Sequence, residues 1–107
     1  MKVIPEPVSF EWDEGNAEKS VLKHKVINSE AEQIFRSVPV IFFEDPKHSG
    51  QEKRYMIWGE TETGRRLTVI FTIRKKCVRI ISARDMHTKE RRQYETEKTK
   101  NDSTVSD

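Results

Sequence analysis

The stretch CVRIISARDMHTKERRQYE, Cys77 to Glu95, closes an apolar pattern on an arginine and passes at once into a crowd of charge. Arg79 and Arg84 punctuate it. Arg54, Glu52, His24, Lys23 and Tyr94 likewise stand at or near the ends of patterned stretches. Arg, Lys, His, Glu and Tyr in such places suit charge stabilisation and proton transfer on a phosphodiester, where a protein needs little covalent chemistry of its own. Other chemistries lack their residues. The four glycines never cluster into a phosphate-binding loop, and no Gly-x-Ser-x-Gly elbow or Ser/His/Asp set stands out. His24, His48 and His87 are far apart and only one cysteine, Cys77, is present, so no metal site and no cofactor are expected. Cys77 reads as a small core residue at a strand start, in a chain suited to a reduced, cytosolic compartment.

Those residues must be positioned by a small fold. At 107 residues with 34% hydrophobic and 36% charged content, one modest core is expected beneath a heavily charged surface. No apolar run approaches the roughly 20 residues that span a bilayer, so no membrane partner is expected. The start, MKVIPEPVSFEW, lacks the features of a signal peptide. The small net charge hides an asymmetry. Residues 1–64 hold 8 Lys/Arg against 12 Asp/Glu, whereas residues 65–100 hold 12 against 4. Such a basic third reads either as a cationic face for a polyanion or acidic partner, or as a solvated basic surface.

Residues 1–8, with Pro5 and Pro7, read as an extended lead-in, and SFEW as a short strand with Phe10 and Trp12 on one face. Asp13 caps a helix expected over about 14–25, with Ala17, Val21 and Leu22 as its buried stripe. Ser29 and Glu32 have capping-box spacing for a second helix burying Ala31, Ile34 and Phe35, which Pro39 stops. The pattern then alternates. VIFF is a strand ended by Asp45–Pro46, RYMIWGET the next, and RLTVIFTIR the clearest of all. CVRIISAR follows the KK turn, and Thr88 opens a last helix to about Lys98. The predicted fold class is α+β: two N-terminal helices on one face of an antiparallel sheet, with a C-terminal helix. Residues 1–98 form a single domain, and 99–107 a disordered polar tail. The second sheet face is expected to be uncovered and half-polar.

FEWD, KHKV, SEA and a following F, EKR before a strand ending in Gly59, RLTVIFT, RIISAR and ERRQYE occur in an order that resembles the BrnT family, the toxins of bacterial type II toxin–antitoxin pairs. The likeness runs from about Ser9 to Glu95, and RIISAR with ERRQYE at this spacing is its specific part. Lys25 stands where the family usually has glycine after Lys-His. Asp85 stands where a basic residue often follows SAR, and is expected to weaken phosphate binding at Arg84. The resemblance implies a RelE-like ribonuclease fold and metal-independent RNA cleavage that arrests translation in the cytoplasm. It also implies a cognate antitoxin, BrnA-like with a ribbon-helix-helix, that covers the toxin and links it to operator DNA. An alternative is a non-catalytic nucleic-acid- or antitoxin-binding module on the same fold.

Cleavage without metal uses the RNA 2′-hydroxyl as nucleophile, and needs a base, cations around the phosphate and an acid for the leaving oxygen. Arg84 is the expected phosphate clamp and Arg54 the second cation. Arg79 falls on the opposite face from Arg84 if the strand alternates strictly, so it belongs either to the site or to a partner interface. His24 is an acid/base by intrinsic pKa, or a helix-terminal histidine on the dipole. Glu52 serves as base or pairs with Arg54. Lys23 contacts RNA or is solvated, and Tyr94 stacks on a base or anchors the last helix.

Overall fold

Strict alternation makes Arg66–Arg74 the template of the sheet. In this computed structural model, which describes residues 9–36, 41–44 and 52–105, two short helices come first, α1 (Lys19–His24) and α2 (Asn28–Ile34). Strands β1 (Ile41–Glu44), β2 (Tyr55–Glu60), β3 (Arg66–Arg74) and β4 (Cys77–Asp85) follow, and helix α3 (Thr88–Val105) closes the chain. The strands pair antiparallel in the order β1-β2-β3-β4. Gly64, at φ 89°, turns the β2–β3 hairpin, closed by the Thr61 amide on the Arg65 carbonyl at 2.8 Å. Lys75 and Lys76 both take positive φ between β3 and β4, the two-residue turn whose twist matches the flanking strands. The α+β layout is the one expected. The lead-in, Pro39 and the Asp45–Pro46 turn lie outside the described residues.

One sheet face carries the main core. Leu67, Val69 and Phe71 of β3 lie beside Ile57, Val78, Ile80 and Ala83, under Val26, Ala31 and Ile34 from the helical layer. Phe35 bridges outward, with its ring edge-on to both Phe71 and Phe10, at centroid distances of 4.9 and 5.3 Å. The opposite face is not left open as expected. Trp58, Met86 and Tyr94 form a second buried cluster there, and Thr68 and Thr72 are fully buried. α3 therefore roofs the end of this face that carries Arg66 and Thr68. The end that carries Ile70, Thr72 and Arg74 stays accessible at its rim.

The N-terminal helix departs most from its expected form. The chain turns over residues 14–18 before becoming helical at Lys19, and Leu22 is 81% exposed. Its buried residues are polar instead: Asn16 and Ser20. Both spend their hydrogen bonds on β4, Asn16 Nδ2 donating to the Ile80 carbonyl and Ser20 Oγ accepting from the Ala83 amide, each at 2.8 Å. Buried polar groups are tolerated when paired in this way, and here the edge of β4 needs such partners. SFEW forms no strand; Phe10 makes a single parallel bridge to Val78. The second helix starts earlier than expected, with the Glu30 carboxylate reaching back to the Ile27 amide at 3.1 Å. Glu32, the expected capping partner of Ser29, instead accepts from Trp12 Nε1 at 2.6 Å.

Between Asn16 and Ser20 sits a break in β4. Ile70 faces Ser82 and Phe71 faces Ile80, which leaves Ile81 as an extra, unpaired residue. A bulge shifts the alternation by one, so Val78, Ile80 and Ala83 all reach the core. On the other face, Arg79 stands opposite Thr72 and Arg84 opposite Thr68. The two arginines share a face, against the expectation from strict alternation.

α1 ends at Lys25 in the left-handed region, φ 58°, a conformation that disfavours a Cβ. Lys25→Gly is therefore expected to raise stability by about 0.5–1 kcal/mol in urea unfolding. Leu22→Ala should stay within about 0.5 kcal/mol of the parent, whereas Ile34→Ala, in the core, should cost about 2–5 kcal/mol.

Candidate nucleic-acid interface

The accessible end of the second face holds a cavity of about 200 Å³. Its wall carries four cationic side chains from four different segments: Lys19, Arg54, Arg74 and Arg79. Asn16, Glu52 and Thr72 complete the polar lining. β2 and β3 bring Arg54 and Arg74 together because the chain enters one strand beside the point where it leaves the other. The Thr72 hydroxyl fixes that entry by donating to the Lys53 carbonyl at 2.7 Å. The bulge in β4 contributes Arg79.

Arg74 and Arg79 each hold a carboxylate. Arg74 grips Glu52 with two bonds, Nε to Oε2 at 2.6 Å and Nη2 to Oε1 at 3.0 Å. That contact holds the Glu52 carboxyl below its ordinary pKa, so it is ionised at neutral pH. Glu52 thus pairs with Arg74, and the charge of nearby Arg54 adds to the same lowering. Arg79 donates to Asp13 at 2.8 and 3.0 Å and to Glu11 at 3.0 Å, with its side chain only 14% exposed. Its bond, with the Gly15 amide, keeps Asp13 below the usual carboxylate range.

Arg84 lies nearer the roofed end and is also engaged. Its two terminal nitrogens hold the Glu90 carboxylate at 2.7 and 3.0 Å. Glu90 further accepts from the Thr68 hydroxyl at 3.0 Å and the His87 amide at 2.8 Å. Burial alone would raise the Glu90 carboxyl, but Arg84 and these donors outweigh it and hold the pKa down. The carboxylate that competes for Arg84 is therefore Glu90, where the sequence pointed to Asp85. Asp85 turns away, to Arg65, at 2.8 and 3.2 Å.

The expected site residues consequently fall into four groups. Glu52, Arg54 and Arg79 meet at the cavity. Arg84 stands on the same face, bound by Glu90. His24 and Lys23 lie at the C-terminal end of α1, where the His24 carbonyl accepts from Arg65 Nη2 at 3.4 Å and Lys23 is exposed. Tyr94 is 1% exposed within the cluster of Trp58 and Met86, and burial pushes its phenol up to about 12. That is the anchoring arrangement, with no ring face free to take a base. Arg66 and Lys98 stand over the Tyr94 ring at 5.5 and 5.9 Å. Lys19, Arg74 and Thr72 were not singled out from sequence. The signal for Arg74 and Thr72 was present, since both belong to the polar face of RLTVIFTIR; Lys19 gave none.

The charge asymmetry of the chain finds its explanation in these contacts. Glu11, Asp13, Glu30, Glu52 and Glu60, all from the acidic first part, pair with Arg79, Arg65, Arg74 and Arg66 of the basic third. Among the described residues, no three His, Cys, Asp or Glu side chains gather so as to hold a metal ion. No helix among them is long and apolar enough to cross a membrane.

Residues 12–90 match a family model described as the ribonuclease toxin, BrnT, of type II toxin–antitoxin systems. No curated protein gives a match.

The Glu90 cluster makes a pH prediction. A carboxyl whose folded pKa is depressed adds stability that is complete above its unfolded value, near 4.5, and is lost as pH falls through the lower folded value. Unfolding free energy should thus hold level between about pH 7 and 5.5, then drop below about 4.5. Glu90→Gln should flatten part of that drop, measured by urea unfolding across the range.

Proposed function

The chain belongs to the BrnT family of ribonuclease toxins from type II toxin–antitoxin systems, and we propose that it cleaves RNA without a metal ion at the cavity that holds Glu52, Arg54 and Arg79. The observation that carries this reading is the convergence of Lys19, Arg54, Arg74 and Arg79 around one ionised carboxylate on an accessible sheet face. A polyanion is the ligand such a wall favours.

In the proposed reaction the RNA 2′-oxygen attacks the adjacent phosphorus and the bond from phosphorus to the 5′-oxygen breaks. The products are a 2′,3′-cyclic phosphate and a 5′-hydroxyl. Glu52 takes the 2′-hydroxyl proton, and its bidentate bond to Arg74 fixes which oxygen lone pairs face the substrate. Arg54 and Arg79 bind the non-bridging oxygens, where charge grows in the transition state. A guanidinium fork suits two phosphate oxygens at once, as that of Arg79 suits the two carboxylate oxygens of Asp13. The departing oxygen takes its proton from solvent or Lys19. Arg84 joins when a phosphate replaces Glu90. His24 and Lys23 serve as RNA contacts beyond the cleavage point, and Tyr94 keeps α3 in place.

The family implies a protein antitoxin and an RNA target. The finer proposal is a BrnA-like ribbon-helix-helix antitoxin that covers this face, links the pair to operator DNA, and releases a toxin that halts translation in the cytoplasm on a RelE-like fold.

A second reading has its own observation. Arg74, Arg79 and Arg84 each already hold a carboxylate, which suits a module that binds without turnover. Incubating the purified protein with RNA in excess chelator separates the two. Cleavage to cyclic-phosphate ends is expected, with Glu52→Gln and Arg54→Ala each lowering the rate by about 10²-fold or more. Retention of intact RNA, with or without added metal, would establish the binding module instead.

A further inference from the structure

Asn16 and Ser20 are buried polar residues in a segment that also offered Ala17, Val21 and Leu22 to the core. What they hold is backbone on the two sides of the β4 bulge. Asn16 bonds the carbonyl of Ile80, just before Ile81, and Ser20 bonds the amide of Ala83, just after Ser82. The outer edge of β4 thus presents its polar groups at Val78 and Ile80, then at Ala83, and the change of parity is the bulge itself. A strand without it would send either Arg79 or Arg84 toward the core.

Asn16 does more than this. Its Nδ2 also donates to the Glu11 carbonyl at 3.0 Å, and its Oδ1 accepts the Asp13 amide at 2.8 Å. Both of those residues supply the carboxylates that grip Arg79. Gly15 lies between, and a Cβ there would stand 2.9 Å from Arg79 Nη2. One side chain therefore ties the bulge to the two groups that aim the arginine.

We infer that Asn16, Ser20 and Gly15 are positioning residues for RNA cleavage: they hold the β4 bulge and the turn before α1 so that Arg79 faces the cavity on the same side of the sheet as Arg84. The inference rests on the cavity being the RNA site. None of the three supplies a proton or a charge to the reaction, and all act through Arg79.

A double-mutant cycle on the full chain tests it, with RNA cleavage kinetics as the readout. Asn16→Ala is expected to lower kcat/KM about tenfold when Arg79 is present, and by less than about twofold in an Arg79→Ala background. Gly15→Ala leaves both clamps in place and adds only a methyl group at an exposed turn, so it keeps the test open if Asn16→Ala folds poorly. Its loss should be smaller, of the same sign, and equally absent without Arg79. Equal losses in both backgrounds would overturn the inference, since Asn16 would then be acting directly on RNA or on stability alone. Full activity in Asn16→Ala and Gly15→Ala would overturn it too. Failure of the underlying reading is distinct: Arg79→Ala by itself would cleave at the parental rate.

Discussion

The placing of both arginines on the second sheet face depends on one residue left out of the ladder, Ile81. A nine-residue edge strand that alternated without interruption could not bury Val78, Ile80 and Ala83 while turning both Arg79 and Arg84 outward. The bulge reconciles these demands, at the expense of ladder hydrogen bonds and exposed edge polarity. The short first helix exists largely to repair that edge. Its inward side is polar because what it covers is backbone, and its apolar residues are displaced to solvent in consequence. The hydrophobic work of the helical layer passes to Val26, Ala31 and Ile34.

α3 divides the remaining face. It buries Tyr94 against Trp58 and Met86, and the Glu90 carboxylate satisfies Thr68, Arg84 and the start of the helix together. One carboxylate thereby performs a cap, an ion pair and a cover for a buried hydroxyl. The same contact sets the boundary of the accessible cavity, so the extent of α3 determines how much of the sheet a polyanion could reach. The helix itself runs past its expected end at Lys98, as far as Val105, with Thr96 and Thr99 hydroxyls bonded back to carbonyls one turn earlier.

Much of the architecture was legible from residue order. Alternation located β3 to the residue, and hairpin turns fixed the antiparallel order, because period and turn chemistry are local. The first helix was misread because apolar periodicity assumes that a helix buries carbon, whereas this one buries amide and hydroxyl groups against a strand edge. The relation of Arg79 to Arg84 was misread for a related reason: a bulge leaves no mark in an apolar pattern when Ile80 and Ile81 are equally apolar. In the site, residue types were readable and partners were not. Glu52 and Arg54 were singled out and both line the cavity, yet Glu52 turned to Arg74, and Glu90 took the place assigned to Asp85. Ion pairs join residues from distant parts of the chain, and only the fold determines which carboxylate reaches which guanidinium.

The pairing of an acidic first part with a basic last part has a consequence for how the protein would meet a nucleic acid. The arginines on this face do not wait in solution with a diffuse atmosphere of small anions; Asp13, Glu52 and Glu90 are their resident counterions. A phosphate that takes Arg84 from Glu90, or Arg79 from Asp13, exchanges one tethered anion for another. Salt still screens the released carboxylate and loosens the ions condensed on the RNA. The gain from association is nonetheless smaller than for bare arginines, and part of the electrostatic free energy is held inside the fold until a competing oxyanion arrives. The chain is, in this sense, a folded polyampholyte whose selectivity lies in which anions can displace its own.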